Sequence, residues 1–214
     1  MSYDRISGKF ILNKILLALE FETGFLLTLK EIFLRPSKAI SAYIKGERKI
    51  YNPIKFLIIC FTLTFFGNYL LDTFNKNNFG LGLSSPEFQN KIYLLVLIVI
   101  ITVSSIFTLV KFKSYNFFEN ITVFSYVVGF FVFIIFISSS VETVILVIFK
   151  NISLESLSQI SGFIIPPFML IYLFLYFKRL DNTSILKSLG LLVLFILSFL
   201  ISTLLTEFIE PIIL

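Results

Sequence analysis

Between Lys91 and Lys111 the chain reads IYLLVLIVIITVSSIFTLV, residues 92–110, with no charged side chain between the two lysines. An uncharged apolar run of roughly 18 residues is long enough to cross a bilayer as one helix. Four other stretches read the same way: 54–71, 121–149, 160–177 and 185–205. The fold class expected is all-α, a polytopic bundle of about five transmembrane helices.

Composition agrees. Of 214 residues 57% are apolar and 14% charged, with a mean hydropathy of +0.95. Water-soluble domains carry about 25% charged residues, because a compact body needs a polar surface.

The third span is the hardest to end, because Ser138-Ser139-Ser140-Val141-Glu142-Thr143 interrupts it. Either one long tilted helix or a span followed by a short interfacial helix fits this pattern. The fourth contains Pro166-Pro167, which should kink it. The outer connection 72–90 is rich in Asn, Gly and Ser and reads as a flexible link.

Charge supplies an orientation. Placing the N-terminus in the cytoplasm puts fifteen of the eighteen Lys and Arg inside, leaving Lys76, Lys91 and Lys150 outside. Basic residues concentrate in cytoplasmic loops, so this bias predicts N-terminus in and C-terminus out. The first residues carry Asp4 and lack a small-residue cleavage site, so no cleaved signal peptide is expected.

Residues 1–53 differ from the rest, with nine Lys or Arg, and Lys55 just beyond, against five acids. They suggest three short amphipathic helices. Ile11, Leu12, Ile15, Leu16 and Leu19 share one face, and Phe25, Leu26, Leu29, Ile32 and Phe33 share another. The third opens at Pro36, carries Ala39, Ile40, Tyr43 and Ile44, and closes at Gly46. No stripe is long enough to span. Basic amphipathic helices of this kind lie in the headgroup region or pack on the ends of the spans.

The densest polar constellation also falls there. Arg35, Lys38, Tyr43, Lys45, Arg48, Lys49, Tyr51 and Asn52 form the candidate lipid- or partner-binding set, in a corner that turns an interfacial helix into the first span at Pro53. Guanidinium and ammonium groups there suit lipid phosphate. The same residues also suit a purely structural corner.

Other chemistries lack their residues. There is no histidine and one cysteine, Cys60. That removes the usual zinc and haem ligand sets and the His-dependent nucleophile triads, so no metal, no cofactor and no enzymatic activity are expected. The net charge of +5 sits beside apolar stripes and span ends. Anionic lipid headgroups are therefore the expected partners, with a protein partner as an addition, and nucleic acid is not. Homo-oligomerisation is left open, since no Gly-x-x-x-Gly pair marks a dimer face. For a transport alternative the residues are Glu142, near a hydrocarbon boundary, with Pro166 and Pro167. Asn68 and Asn120 suit hydrogen bonds between helices. With no Trp, an aromatic belt would draw on Tyr51, Tyr69, Tyr93 and Tyr176.

Gly24-Phe25, Thr28-Leu29, Arg35-Pro36, Tyr43-Ile44, Gly46, Arg48 and Tyr51-Asn52-Pro53 resemble the domain of unknown function 3667 family, bacterial membrane proteins, over residues 20–60. The resemblance implies membrane location and this corner, and no activity. Many members of that family begin with a Cys-pair zinc ribbon, which is missing here, so its partner-recruiting role is not carried over. A looser similarity of layout links the chain to Yip-type five-span proteins of membrane organisation. The function expected is that of a non-enzymatic membrane scaffold or regulator, with a small transporter or channel as the alternative.

Overall fold

A computed structural model describes residues 24–46, 50–74, 86–110, 115–149, 154–181 and 184–213. Within them lie seven helices and no strand. Two are short, α1 (Leu26–Leu34) and α2 (Pro36–Ile44). Five are long: α3 (Pro53–Phe74), α4 (Pro86–Leu109), α5 (Phe117–Ile148), α6 (Leu154–Asp181) and α7 (Ile185–Ile213). All five are long and apolar enough to cross a membrane, so the chain is a multi-pass helical membrane protein. The first amphipathic stripe, 11–19, lies outside the described residues.

The long helices extend past the apolar runs, because a helix does not stop where hydrocarbon stops. Helix α4 starts at Pro86, inside what reads as a flexible connection. Proline suits a first turn, having no N–H to leave unpaired and a φ already set for helix. Helix α5 starts at a capping box: the Glu119 N–H donates to Asn116 Oδ1 (2.9 Å) and the Asn116 N–H to Glu119 Oε2 (2.8 Å).

Helix α5 then runs unbroken through Ser138–Thr143, which decides between the two readings of the third span. The hydroxyls find partners without opening the helix. Ser138 Oγ donates to Glu142 Oε1 (3.1 Å), Thr143 Oγ1 to the Ser139 carbonyl (2.8 Å), and Ser139 Oγ to Asn68 Oδ1 on α3 (3.0 Å). Helix α6 likewise continues through Pro166-Pro167.

Helix α5 is the hub. It packs most extensively on α3 and also meets α4 and α6, while α7 packs on α4 and α6. Close approach of α3 and α5 depends on one glycine from each. A Cβ on Gly129 would stand 2.9 Å from the Phe56 ring, and one on Gly67 would stand 3.0 Å from the Phe136 ring. Without a hydrophobic drive between helices in lipid, small residues that let backbones approach hold a bundle together. Thr64 Oγ1 crosses this narrow gap to the Val132 carbonyl at 2.8 Å. Asn120 Nδ2 joins α5 to α4 through Thr108 Oγ1 at 2.9 Å.

The aromatic belt differs from expectation at two positions, Tyr51, which packs on the core, and Tyr176. Tyr69 and Tyr93 are exposed, but Tyr176 is 1% exposed and faces the core. Its spacing from Tyr172 and Leu173 places it on the buried side of α6, where Phe177 also lies.

Candidate functional site

The basic leader corner is built on two short helices joined at Arg35. This residue has non-helical backbone angles (φ −142°, ψ 51°), closing α1 and opening α2 at once. Its N–H donates to the Glu31 carbonyl (2.8 Å), and its carbonyl accepts from Lys38 and Ala39 (both 3.1 Å). Pro36 follows at the first helical position, as anticipated. Gly46 ends α2 at φ +88°, the left-handed conformation in which only a residue without Cβ is at ease.

The buried face of α1 consists of Phe25, Thr28 and Ile32, with Leu29 half-buried. This differs from the stripe read in the sequence. Leu26 is 63% exposed, and Phe33, 49% exposed, keeps only one side of its ring on the bundle, 5.9 Å from Phe130, because docking turns Thr28 toward the interior. Ala39 and Ile40 of α2 are buried as expected. The described leader therefore packs on α5 and α6, its Phe25 ring reaching Phe133 and its Phe33 ring Phe130, and α1 keeps a second apolar face, Leu26, Leu27, Phe33 and Leu34, largely exposed.

Thr28 is fully buried and holds the corner together. Its hydroxyl donates to the Gly24 carbonyl (2.6 Å) and accepts from the Tyr51 N–H (2.8 Å). The Tyr51 ring covers Gly24 so closely that a Cβ there would lie 2.5 Å from Cδ2. The Tyr51 carbonyl accepts from the Tyr126 hydroxyl on α5, and Tyr43 meets the Tyr126 ring edge-on at 5.8 Å. Asn52 caps α3, its Oδ1 accepting from Ile54 N–H at 2.9 Å and Lys55 N–H at 3.4 Å. Two more anchors come from α6: the Tyr172 hydroxyl donates to the Ile32 carbonyl (2.8 Å), and Arg179 Nη1 to the Leu34 carbonyl (3.1 Å).

The eight candidates therefore separate. Tyr43, Tyr51 and Asn52 are engaged within the corner. Arg35, Lys38 and Lys45 are exposed and turned outward. Arg48 and Lys49 lie outside the described residues. Sequence reasoning missed Thr28 as a pivot, and Tyr126, Tyr172 and Arg179 as anchors. A signal existed for the tyrosines, since a phenol buried in an apolar span needs an acceptor.

Of the transport residues, Pro166 and Glu142 are placed differently. Pro166 borders a cavity of about 360 Å³ among α4, α5, α6 and α7, whose walls, including Val128, Phe131, Leu173 and Phe199, are wholly apolar. Glu142 does not line it. Among the described residues no three His, Cys, Asp or Glu gather as a metal site would require.

The fold and corner define a class: a five-span helical membrane protein with a leader clamped onto its bundle. A family model described as "Protein of unknown function (DUF3667)" matches residues 22–65, the segment from just before Gly24 to just past the middle of α3. The resemblance read from the corner is thus shown for that segment, and the matched stretch contains the whole Gly24–Thr28–Tyr51–Asn52 arrangement. Comparison with curated proteins and with solved structures finds no match.

Proposed function

We propose that this protein is a non-enzymatic membrane scaffold or regulator that engages anionic lipid or a cytoplasmic partner through its basic leader. The observation that carries this reading is the two-sided build of that leader. One side is clamped to the bundle by Thr28, Tyr126, Tyr172 and Arg179. The other presents Leu26, Leu27, Phe33 and Leu34 together with Lys30, Arg35, Lys38 and Lys45. An apolar strip flanked by cations suits the headgroup boundary of an anionic leaflet. The excess of basic residues at this end favours a cytoplasmic N-terminus, and the resemblance to a family of bacterial membrane proteins favours a bacterial inner membrane.

The test is crosslinked affinity purification from the native membrane, comparing the native chain with a Lys45→Glu/Arg48→Glu/Lys49→Glu variant. Enrichment of anionic lipid or of one reproducible protein, lost in the variant, is the expected result. Identical recovery from both overturns the reading.

A further inference from the structure

Between the leader and α6 runs a groove of about 300 Å³, and the geometry points to it as a seat for one anionic phospholipid, its phosphate on Arg179 and one acyl chain along α6. The inference deepens the reading of the leader as a lipid-engaging element and rests on it.

The lining residues of α6 are Phe168, Ile171, Tyr172, Leu175, Tyr176 and Arg179. Their spacing places them on a single face of the helix. Phe168 and Arg179 are eleven residues apart, so at 1.5 Å per residue this face is about 16 Å long. One leaflet contributes about half of a ~30 Å hydrocarbon core, so the face matches the depth of a single acyl chain. The opposite wall is Phe33, Leu34 and Pro36.

The two ends are chemically different. Phe168, Ile171 and Leu175 are exposed hydrocarbon, and the other end closes on a guanidinium. Arg179 is the last residue of the apolar span window and is itself exposed. Its one hydrogen bond among the described residues runs from Nη1 to the Leu34 carbonyl. A guanidinium carries five N–H donors, so a fork remains for phosphate oxygens. Lys178 and Arg35 are exposed beside it, one adjacent to Arg179 in the chain and the other adjacent to Leu34. Cationic head and apolar trough complement a lipid with a negative headgroup, whereas a soluble phosphate compound would gain nothing from the trough.

The experiment is native mass spectrometry of the full chain in mild detergent, titrated with dioleoyl phosphatidylglycerol or dioleoyl phosphatidylcholine. Arg179→Gln removes the charge and leaves the groove. Ile171→Trp fills the groove and leaves the charge, with Leu175→Trp repeating that change at a second exposed position. Expected are one tightly retained phosphatidylglycerol on the native chain, a loss of preference over phosphatidylcholine of about tenfold in Arg179→Gln, and loss of both lipids in the tryptophan variants. If either kind of variant retains phosphatidylglycerol as the native chain does, the seat is overturned.

The Lys45→Glu/Arg48→Glu/Lys49→Glu variant separates the two ideas. Loss of lipid there alone overturns the groove and leaves the leader reading standing. Loss in the groove variants alone supports the groove and counts against the leader.

Discussion

The hydroxyl of Thr28 accepts the backbone N–H of Tyr51 at 2.8 Å, across 23 residues of sequence. This bond closes the leader onto the start of the first span. It also completes a relay, since the same hydroxyl donates to the Gly24 carbonyl.

Thr28→Val keeps the shape and removes both bonds. It leaves the Tyr51 N–H without its hydroxyl acceptor, at a cost of about 1–3 kcal/mol. Thr28→Ser keeps the hydroxyl and loses one methyl, about 1 kcal/mol. Thermal unfolding of the purified chain should order the variants native, Ser, Val. Equal losses for Val and Ser would show that packing, and not the hydrogen bond, is what Thr28 contributes.

The glycines should respond in three different ways to alanine. At Gly24 a Cβ collides with the Tyr51 ring at 2.5 Å, so the leader must shift, at a cost of about 1–3 kcal/mol. At Gly46 there is open space but φ is +88°, and left-handed strain costs about 1–2 kcal/mol. At Gly162 and Gly190, in α6 and α7, there is open space within a helix, and alanine should stabilise by about 0.5–1 kcal/mol. Melting temperatures of the four variants check the pattern, and destabilisation by Gly162→Ala would contradict an open site there.

Asn68 and Ser139 join α3 to α5 at 3.0 Å inside the bundle. A double-mutant cycle with Asn68→Ala and Ser139→Ala should give a coupling of about 0.6 kcal/mol, and below about 1.7, as found for hydrogen bonds between membrane helices. A coupling indistinguishable from zero would mean the two side chains do not meet.

Cys60 is fully buried in α3 against the hub helix. A bulky maleimide should label it only when the bundle opens, so labelling should track denaturation by circular dichroism. Rapid labelling of the native protein in detergent would contradict the packing of α3 on α5.

Much of the architecture was legible because hydrocarbon imposes a simple rule. The run 92–110 is a helix whatever it packs against, since lipid offers its backbone no other partner. The corner was legible for a different reason. Pro36, Gly46 and Pro53 act through their own backbone preferences, and α2 and α3 start at those prolines while Gly46 adopts the positive φ. Asn120 and Asn68 do bridge helices, because an amide in an apolar span is costly without a partner.

The rotation of α1 was not legible. Its apolar residues occupy more than one face, so the stripe Phe25, Leu26, Leu29, Ile32 and Phe33 is compatible with several orientations. In the folded chain Thr28 faces inward and bonds Tyr51, which leaves Leu26 exposed and Phe33 half-exposed at the edge of the contact. The role of Gly67 and Gly129 was hidden for a similar reason. A dimer motif repeats along one helix, whereas these two glycines meet aromatic rings contributed by the other helix of a pair.

By itself, then, the sequence determined five membrane helices, their approximate limits and the turn chemistry of the leader, because each follows from local composition and backbone preference. Only the tertiary structure decided which face of α1 is buried, that α5 continues past Glu142, and that Arg179 stands at the head of a groove. Those outcomes depend on side chains distant in sequence meeting at hydrogen-bond range, and no periodicity along a single helix records such a meeting.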